Sequence, residues 1–226
     1  MIPLVLLPGM GCSPDLWSGL QLDADPVTPV LEEPDLDAEV DRLLALLPDR
    51  FALAGLSLGA IVAMALVRRA PDRVERLALL STNPHAPTPA QHAGWAEQRR
   101  TLADGGGRAL QARLLTNLLS PPVLEHRPDL VARTLVMAEE VGDARYDAQL
   151  RLQGTRVDER PGLRAVRCPT LVLAARQDRL CGVERHTEIA ALVPGATLAV
   201  LEDCAHLAPL EQPAAVSEHL RRWLAP

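Results

Sequence analysis

Residues 51–59 have the sequence FALAGLSLG, and this stretch decides the fold. Phe51–Ala54 is a short apolar run that predicts a buried β-strand ending at Gly55, and helical periodicity follows over Ile61–Arg69. The segment between them has the pattern glycine-x-serine-x-glycine, centred on Ser57. This pattern predicts a sharp strand-to-helix turn, packed so tightly that only glycine fits two residues before and two after the serine. Ser57 is therefore the candidate nucleophile.

Short apolar runs alternate with helical patterns on both sides of this turn. The remaining predicted strands are Ile2–Leu7, Val27–Leu31, Leu77–Leu80, Thr170–Ala174 and Thr197–Leu201. The predicted helices outside 84–160 are Asp35–Leu47, Ile61–Arg69, Val183–Leu192 and Pro213–Leu224. Such alternation is typical of the α/β class, a mostly parallel sheet flanked by helices, and six core strands are expected.

The segment from residue 84 to residue 160 differs from the rest of the chain. It contains no convincing strand and four helical stretches punctuated by proline and glycine. We therefore expect one α/β core formed by residues 1–83 and 161–226, with residues 84–160 as a helical cap inserted into it.

Composition excludes several classes of function. A net charge of -6 without a basic stripe argues against a nucleic-acid surface, because clustered Lys and Arg are needed to neutralise phosphates. The first apolar run is short and lacks a basic leader, so we expect neither a signal peptide nor a membrane partner. The four cysteines have no zinc-like or paired spacing, which favours free thiols in a cytoplasmic protein without a metal.

A serine hydroxyl needs a base to accept its proton, and His206 is the best placed of six histidines. It follows the strand Thr197–Leu201, so it should lie at the carboxyl end of the sheet beside Ser57. His85, which follows Leu77–Leu80, is the main rival. His126, His186 and His219 fall in or beside helical patterns and are expected to be solvated.

A carboxylate must fix the imidazole tautomer, and Asp178 after the strand Thr170–Ala174 is the candidate. Asp203 is a rival, but it is so near His206 in sequence that a role in shaping the loop is favoured. For an oxyanion, two backbone N–H donors are expected, from Leu58 at the helix start and from Met10 in the glycine-rich segment 8–11.

Together these motifs resemble the α/β-hydrolase superfamily along nearly the whole chain. The segment 6–11 is similar to the family's oxyanion loop, residues 55–59 to its nucleophile elbow, and residues 204–207 to its histidine loop. The resemblance implies a serine hydrolase with the order Ser57, Asp178, His206 and no cofactor. Its cap implies a relation to esterases, lactonases and carbon–carbon bond hydrolases.

The substrate is expected to be a small acyl compound, namely an ester, thioester or lactone. Few aromatic residues are present, so we expect a mainly aliphatic pocket with Trp17, Trp95 and Tyr146 as its few aromatic walls. Seven arginines of the cap are candidates for binding a substrate carboxylate, and the sequence does not choose among Arg99, Arg100, Arg113, Arg133, Arg145, Arg151 and Arg156. Two alternatives stay open, a carbon–carbon bond hydrolase or lyase acting on a keto acid, and a non-catalytic binding protein. The sequence does not determine the oligomeric state.

Overall fold

The computed structural model describes residues 2–225, whose core is a five-stranded parallel sheet. The strands are β1 (Leu4–Leu7), β2 (Phe51–Leu56), β3 (Val74–Leu80), β4 (Thr170–Ala175) and β5 (Thr197–Leu201). They are arranged in the sheet in the same order as in the chain, and every neighbouring pair is parallel. All carboxyl ends therefore meet at one edge. The predicted α/β fold is confirmed.

Helices cover the sheet and the edge at which its strands end. They are α1 (Leu36–Leu46), α2 (Leu58–Arg69), α3 (Pro89–Leu118), α4 (Pro121–His126), α5 (Pro128–Val141), α6 (Asp143–Thr155), α7 (Arg160–Leu163), α8 (Val183–Leu192), α9 (Ala208–Glu211) and α10 (Pro213–Leu224). Short 3₁₀ turns lie at Pro14–Trp17 and Pro71–Arg73.

The predicted strand Val27–Leu31 is wrong, and the expected count of six strands is therefore wrong as well. Only Val27 pairs with the sheet: its N–H donates to the carbonyl of Leu4 at 2.8 Å, and its carbonyl accepts from the N–H of Leu6 at 2.9 Å. Pro29 lies two residues further along and has no N–H for the next rung. The ladder therefore stops after a single bridge.

The strand β2 lies inside the sheet, between β1 and β3, and this position explains its continuous apolar run. Phe51 and Leu53 face one buried cluster while Ala52, Ala54 and Leu56 face the other, so both faces of the strand are covered. The strand continues through Gly55, where the sequence predicted its end, because Gly55 pairs with Leu7 on one side and Leu79 on the other. Helix α2 also begins earlier than predicted, at Leu58.

The helices α3 to α6 form an insertion between the neighbouring strands β3 and β4. The long helix α3 is kinked at Gly106, whose φ of 76° lies outside the helical region. At the two ends of the insertion, the N–H of Glu159 donates to the carbonyl of Pro84 at 2.8 Å. The buried Glu159 carboxylate also pairs with Arg68 of α2 at 2.9 Å, which fixes the return point to the core.

Within residues 2–225, no helix has the length and apolarity needed to cross a membrane.

Candidate active site

Ser57 occupies a sharp turn between β2 and α2. Its φ of 54° and ψ of -112° lie in a region that a residue with a side chain rarely adopts. A Cβ added to Gly59 would lie 2.2 Å from the carbonyl oxygen of Leu7, and one added to Gly55 would lie 2.4 Å from the backbone of Gly59. The two glycines therefore allow β1, β2 and α2 to approach closely enough to impose the strained turn.

Backbone hydrogen bonds hold Ser57 in this conformation. Its N–H donates to the carbonyl of Leu80 at 2.9 Å, at the end of β3. Its carbonyl accepts from the hydroxyl of Thr82 at 3.2 Å and from the N–H of Ile61 at 3.0 Å. The backbone of Ser57 is thus fixed by its neighbours, and the residue remains partly exposed.

Asp178 and His206 form a buried pair after β4 and β5. Nδ1 of His206 lies 2.8 Å from Oδ2 of Asp178, and the carboxylate itself is fully buried. Oδ1 of Asp178 accepts from the N–H groups of Leu180 at 2.8 Å and Cys181 at 2.9 Å. Burial works against ionisation of Asp178, but the charge and hydrogen bond of His206 and these two N–H groups outweigh it and lower the pKa of Asp178. The carboxylate is thus held ionised, with Nδ1 of His206 as its hydrogen-bond donor.

The loop that carries His206 is fixed by Glu211. Oε1 of Glu211 accepts from the N–H of Ala205 at 3.2 Å and from the N–H of Ser120 at 3.1 Å. This links the histidine loop to the insertion. The rival acid Asp203 is exposed on the same loop. The rival base His85 instead pairs with Glu188 at 2.7 Å.

Ser57 and His206 line one cavity of about 140 Å³ beneath the insertion. Its apolar lining is mostly aliphatic, as the sequence predicted, and comprises Met10, Leu56, Ile61, Leu114, Leu118, Leu180 and Leu207. The remainder is more polar than expected and includes Thr82, Asn83, Gln91, Gln98, Gln111, Gln153 and Arg156. The lining of the cavity therefore combines apolar and polar side chains.

Met10 and Leu58, the two predicted oxyanion donors, both lie close to parts of the candidate site. Met10 follows β1 and lines the cavity, and Leu58 is the first residue of α2. Among the hydrogen bonds of residues 2–225, none has the N–H of Met10 or of Leu58 as its donor. Both amides are therefore without a protein acceptor in the described chain, and that of Leu58 lies at a helix N-terminus.

Two residues of α6 hold the loop that contains Met10, and sequence reasoning missed one of them. Oε1 of Gln149 accepts from the N–H of Gly11 at 2.9 Å, while its Nε2 donates to the carbonyl of Leu31 at 2.8 Å. A Cβ atom added to Gly11 would lie only 2.7 Å from the ring of Tyr146, so the ring packs directly against this glycine. Since both residues are fully buried, the insertion is part of the scaffold of the site.

The three aromatic residues expected in the pocket lie in different places. Trp95 lines the cavity. Trp17 packs in the cluster on the α10 side of the sheet, away from the cavity. Tyr146 is buried inside the insertion and reaches the site indirectly, through a hydrogen bond of 2.6 Å from its hydroxyl to Oε1 of Gln111.

His186 is buried, so its expected place on the surface is wrong. Its Nε2 accepts from the N–H of Thr82 at 3.0 Å, and its Nδ1 donates to the carbonyl of Gly182 at 3.0 Å. Burial lowers the pKa of His186, which is consistent with a neutral ring between one donor and one acceptor. The spacing of His186, Ile189 and Val193 on the buried face of α8 was the signal that could have identified it.

Buried thiols surround the site but are poor ligands. Cys12 and Cys181 line the cavity and Cys204 lies on the histidine loop, and burial raises the pKa of each to about 12. Ligand atoms of Asp178, Cys181 and His206 lie within 4.8 Å of one another. A metal there would require a thiolate and would displace the hydrogen bond between Asp178 and His206, so these residues fit an acid–histidine pair better than a metal site.

Comparison with known proteins identifies the family to which this chain belongs. Residues 7–213 match the alpha/beta hydrolase fold family, and the chain belongs to that family. More particularly, it is 30% identical over 244 residues to the pimeloyl-[acyl-carrier protein] methyl ester esterase of Aromatoleum aromaticum, a match that covers 93% of each protein.

Solved structures share the whole fold at lower identity. A thermophilic esterase from Thermogutta terrifontis superimposes with a TM-score of 0.87 at 23% identity, over 99% of this chain and 89% of that one. The enol-lactonase of Burkholderia xenovorans LB400 superimposes with a TM-score of 0.84 at 20% identity, over 99% of this chain and 92% of that one.

Proposed function

We propose that this protein is a serine hydrolase that cleaves a small carboxylic ester, thioester or lactone through an acyl-enzyme intermediate. The observation that carries the proposal is the hydrogen bond of 2.8 Å between His206 and Asp178, on an imidazole that lines the same cavity as the strained Ser57. The ester preference is supported by the likeness to a methyl ester esterase.

In the proposed reaction, Asp178 binds the Nδ1–H of His206, which leaves Nε2 as the atom that accepts the proton of Ser57. The Ser57 oxygen attacks the carbonyl carbon, and the resulting oxyanion receives hydrogen bonds from the amides of Met10 and Leu58. His206 then donates its proton to the leaving alcohol, thiol or ring oxygen. Water attacks the acyl-enzyme in the second half, with His206 again as base, and the carboxylic acid is released.

The test combines a substrate panel with active-site labelling. The wild-type protein is expected to hydrolyse short p-nitrophenyl and methyl esters and to be labelled by a fluorophosphonate at Ser57, with the site found by peptide mass spectrometry. Ser57→Ala should lose labelling and at least roughly 10³-fold in kcat. Ser81→Ala is the matched control, because Ser81 also has a positive φ, is itself buried, and its hydroxyl has no partner among residues 2–225.

Two results would contradict the proposal. One is full ester turnover by Ser57→Ala at the wild-type rate. The other is turnover of a vinylogous diketone with no turnover of any ester in the panel, which would indicate the carbon–carbon bond hydrolase instead.

A further inference from the structure

Arg156 is a buried cation in the wall of the cavity. It follows α6, is only 6% exposed and lines the same cavity as Ser57. Its Nη1 donates to Oε1 of Gln153 at 2.9 Å and its Nη2 to Oε1 of Gln91 at 3.2 Å. Its guanidinium lies 5.2 Å from the centroid of the Trp95 ring. Neutral groups thus fix its position without neutralising its charge.

No carboxylate of residues 2–225 forms an ion pair with Arg156, which sets it apart from the other arginines of the insertion. Within residues 84–160, eight of these pair with an acidic side chain, namely Arg99 and Arg151 with Asp147, Arg100 with Glu97, Arg108 with Glu139, Arg127 with Asp129, Arg133 with Asp15, Arg145 with Glu32 and Arg160 with Asp158. Arg113 is exposed to solvent. Among the described residues that line the cavity there is no Asp or Glu either. Of the seven arginines that the sequence offered as candidates, Arg156 is therefore distinguished by its burial and by the absence of an ion pair.

A buried cation without an ion-pair partner is unfavourable unless a ligand supplies the missing hydrogen-bond acceptors and negative charge. Only two of the five N–H groups of the guanidinium have protein acceptors, and Nε is buried without a partner in the described chain. Burial lowers the pKa of Arg156, which reflects the same unfavourable desolvation. Two further buried atoms in this lining also have no partner there, Oε1 of Gln98 and Nε2 of Gln111. Three residues that line one cavity therefore each contain a buried polar atom without a partner in the described chain.

We propose that Arg156 is a specificity-determining residue that binds a carboxylate of the substrate. The preferred substrate is then an ester, thioester or lactone whose acyl part ends in a carboxylate, with the scissile carbonyl at Ser57 and the carboxylate at Arg156. A carboxylate fits the planar fork of the guanidinium and is compact enough for a cavity of about 140 Å³. This inference rests on the proposed function for its substrate class, but the anion site itself can be tested without catalysis.

The kinetic test compares matched substrates by pH-stat titration. Monomethyl succinate, glutarate and adipate are set against methyl esters in which an isopropyl group replaces the carboxylate. The wild-type protein is expected to prefer at least one half-ester by about 10- to 100-fold in kcat/KM. Arg156→Gln should remove this preference mainly by raising KM for the half-ester, so that kcat/KM falls more for the half-ester than for the neutral ester. Arg156→Lys should restore part of it.

Arg151→Gln is the matched control, because it removes one positive charge from α6, the helix that Arg156 follows, at a residue that does not line the cavity. The wild-type preference needs no variant and stands as a test if Arg156→Gln fails to fold. Equal kcat/KM for charged and neutral esters in the wild type would overturn the proposal. So would an equal loss on both substrates in Arg156→Gln, since a merely structural role beside Trp95 predicts that result.

Direct binding separates this inference from the proposed function. Isothermal titration of Ser57→Ala with the half-ester is expected to give binding that Arg156→Gln, placed in the same background, weakens by about 10-fold or more. If this holds while no ester is hydrolysed by the wild type, the anion site stands and the proposed function fails. If esters are hydrolysed but the half-ester binds no better than the neutral ester, the anion site fails alone. Tighter binding of methyl phosphate than of any half-ester would overturn the carboxylate assignment.

Discussion

The side chain of Gln149 accepts a hydrogen bond from the backbone N–H of Gly11 at 2.9 Å, across 138 positions of sequence. Through this contact a helix of the insertion positions the loop that carries Met10, one of the two proposed oxyanion donors. Gln149 also donates to Leu31, so one buried amide joins two loops of the core to α6.

Replacing Gln149 with Met should therefore impair both stability and rate. The substitution keeps the approximate volume but leaves the N–H of Gly11 and the carbonyl of Leu31 buried without partners, which costs about 1–3 kcal/mol for each group. Chemical denaturation should show a lower free energy of unfolding, and kcat should fall more than KM rises. Gln21→Met on an exposed side chain is the control. An unchanged kcat would show that the loop keeps its geometry without this contact.

Asp178→Asn should reduce kcat by roughly 10³- to 10⁴-fold with little change in KM, because an amide can donate to Nδ1 and so favours the wrong imidazole tautomer. Steady-state kinetics on a p-nitrophenyl ester would measure this. Asp203→Asn, an exposed acid three residues before His206, is expected to retain activity within about threefold. The reverse pattern would assign the orienting role to Asp203.

Gly59→Ala should destabilise the fold, because its Cβ would lie 2.2 Å from the carbonyl oxygen of Leu7 and helix α2 would have to move away from β1. We expect a loss of about 1–3 kcal/mol or more in free energy of unfolding, measured by urea denaturation. Gly94→Ala is the matched control in helix α3, where a Cβ meets nothing within 4 Å. It should stabilise by about 0.4–1 kcal/mol. Equal stability of the two variants would contradict the close packing at the turn.

Stability should fall in mild acid partly because of His186. Its pKa is lowered by burial, so below the ordinary value of about 6.5 the unfolded chain binds a proton that the folded chain does not. The contribution is fully present above that pH and is lost as the pH falls toward the lowered pKa of the folded state. Urea denaturation at several pH values between about 5 and 8 should therefore show a smaller loss for His186→Gln than for the wild type. The same loss in both proteins would assign the acid dependence to other groups.

Several elements were predictable because their signals are local. Helix Val183–Leu192, strand Thr197–Leu201 and helix Pro213–Leu224 have the bounds expected from apolar periodicity and flanking Gly and Pro. The same reasoning placed Ser57, Asp178 and His206 after strands that end at one edge of the sheet. Thr82 follows β3 at that edge and could have been found in the same way.

What the sequence could not provide depends on contacts between remote segments. Arg156 is buried because it contacts Gln91 and Trp95, which lie in α3, far earlier in the sequence. Tyr146 lies inside the insertion because α3 packs over it, a choice of helix face that local periodicity does not make. Val27–Leu31 is not a strand because Pro29 interrupts the ladder of hydrogen bonds. Pro29 is a local signal, but the sequence prediction gave more weight to the apolar content of the segment.

The hydrogen bond between Pro84 and Glu159 also bears on how this chain can diversify. Because the inserted helices begin and end side by side, and between adjacent strands, the intervening gene segment can be lengthened or exchanged without altering the span that the flanking core must bridge. The insertion can therefore change, and substrate preference with it, largely without affecting the ability of the core to fold. The coupling that remains includes Gly11 and Glu211, because a replacement segment would have to accept from the N–H of Gly11, as Gln149 does, and donate to Glu211, as Ser120 does.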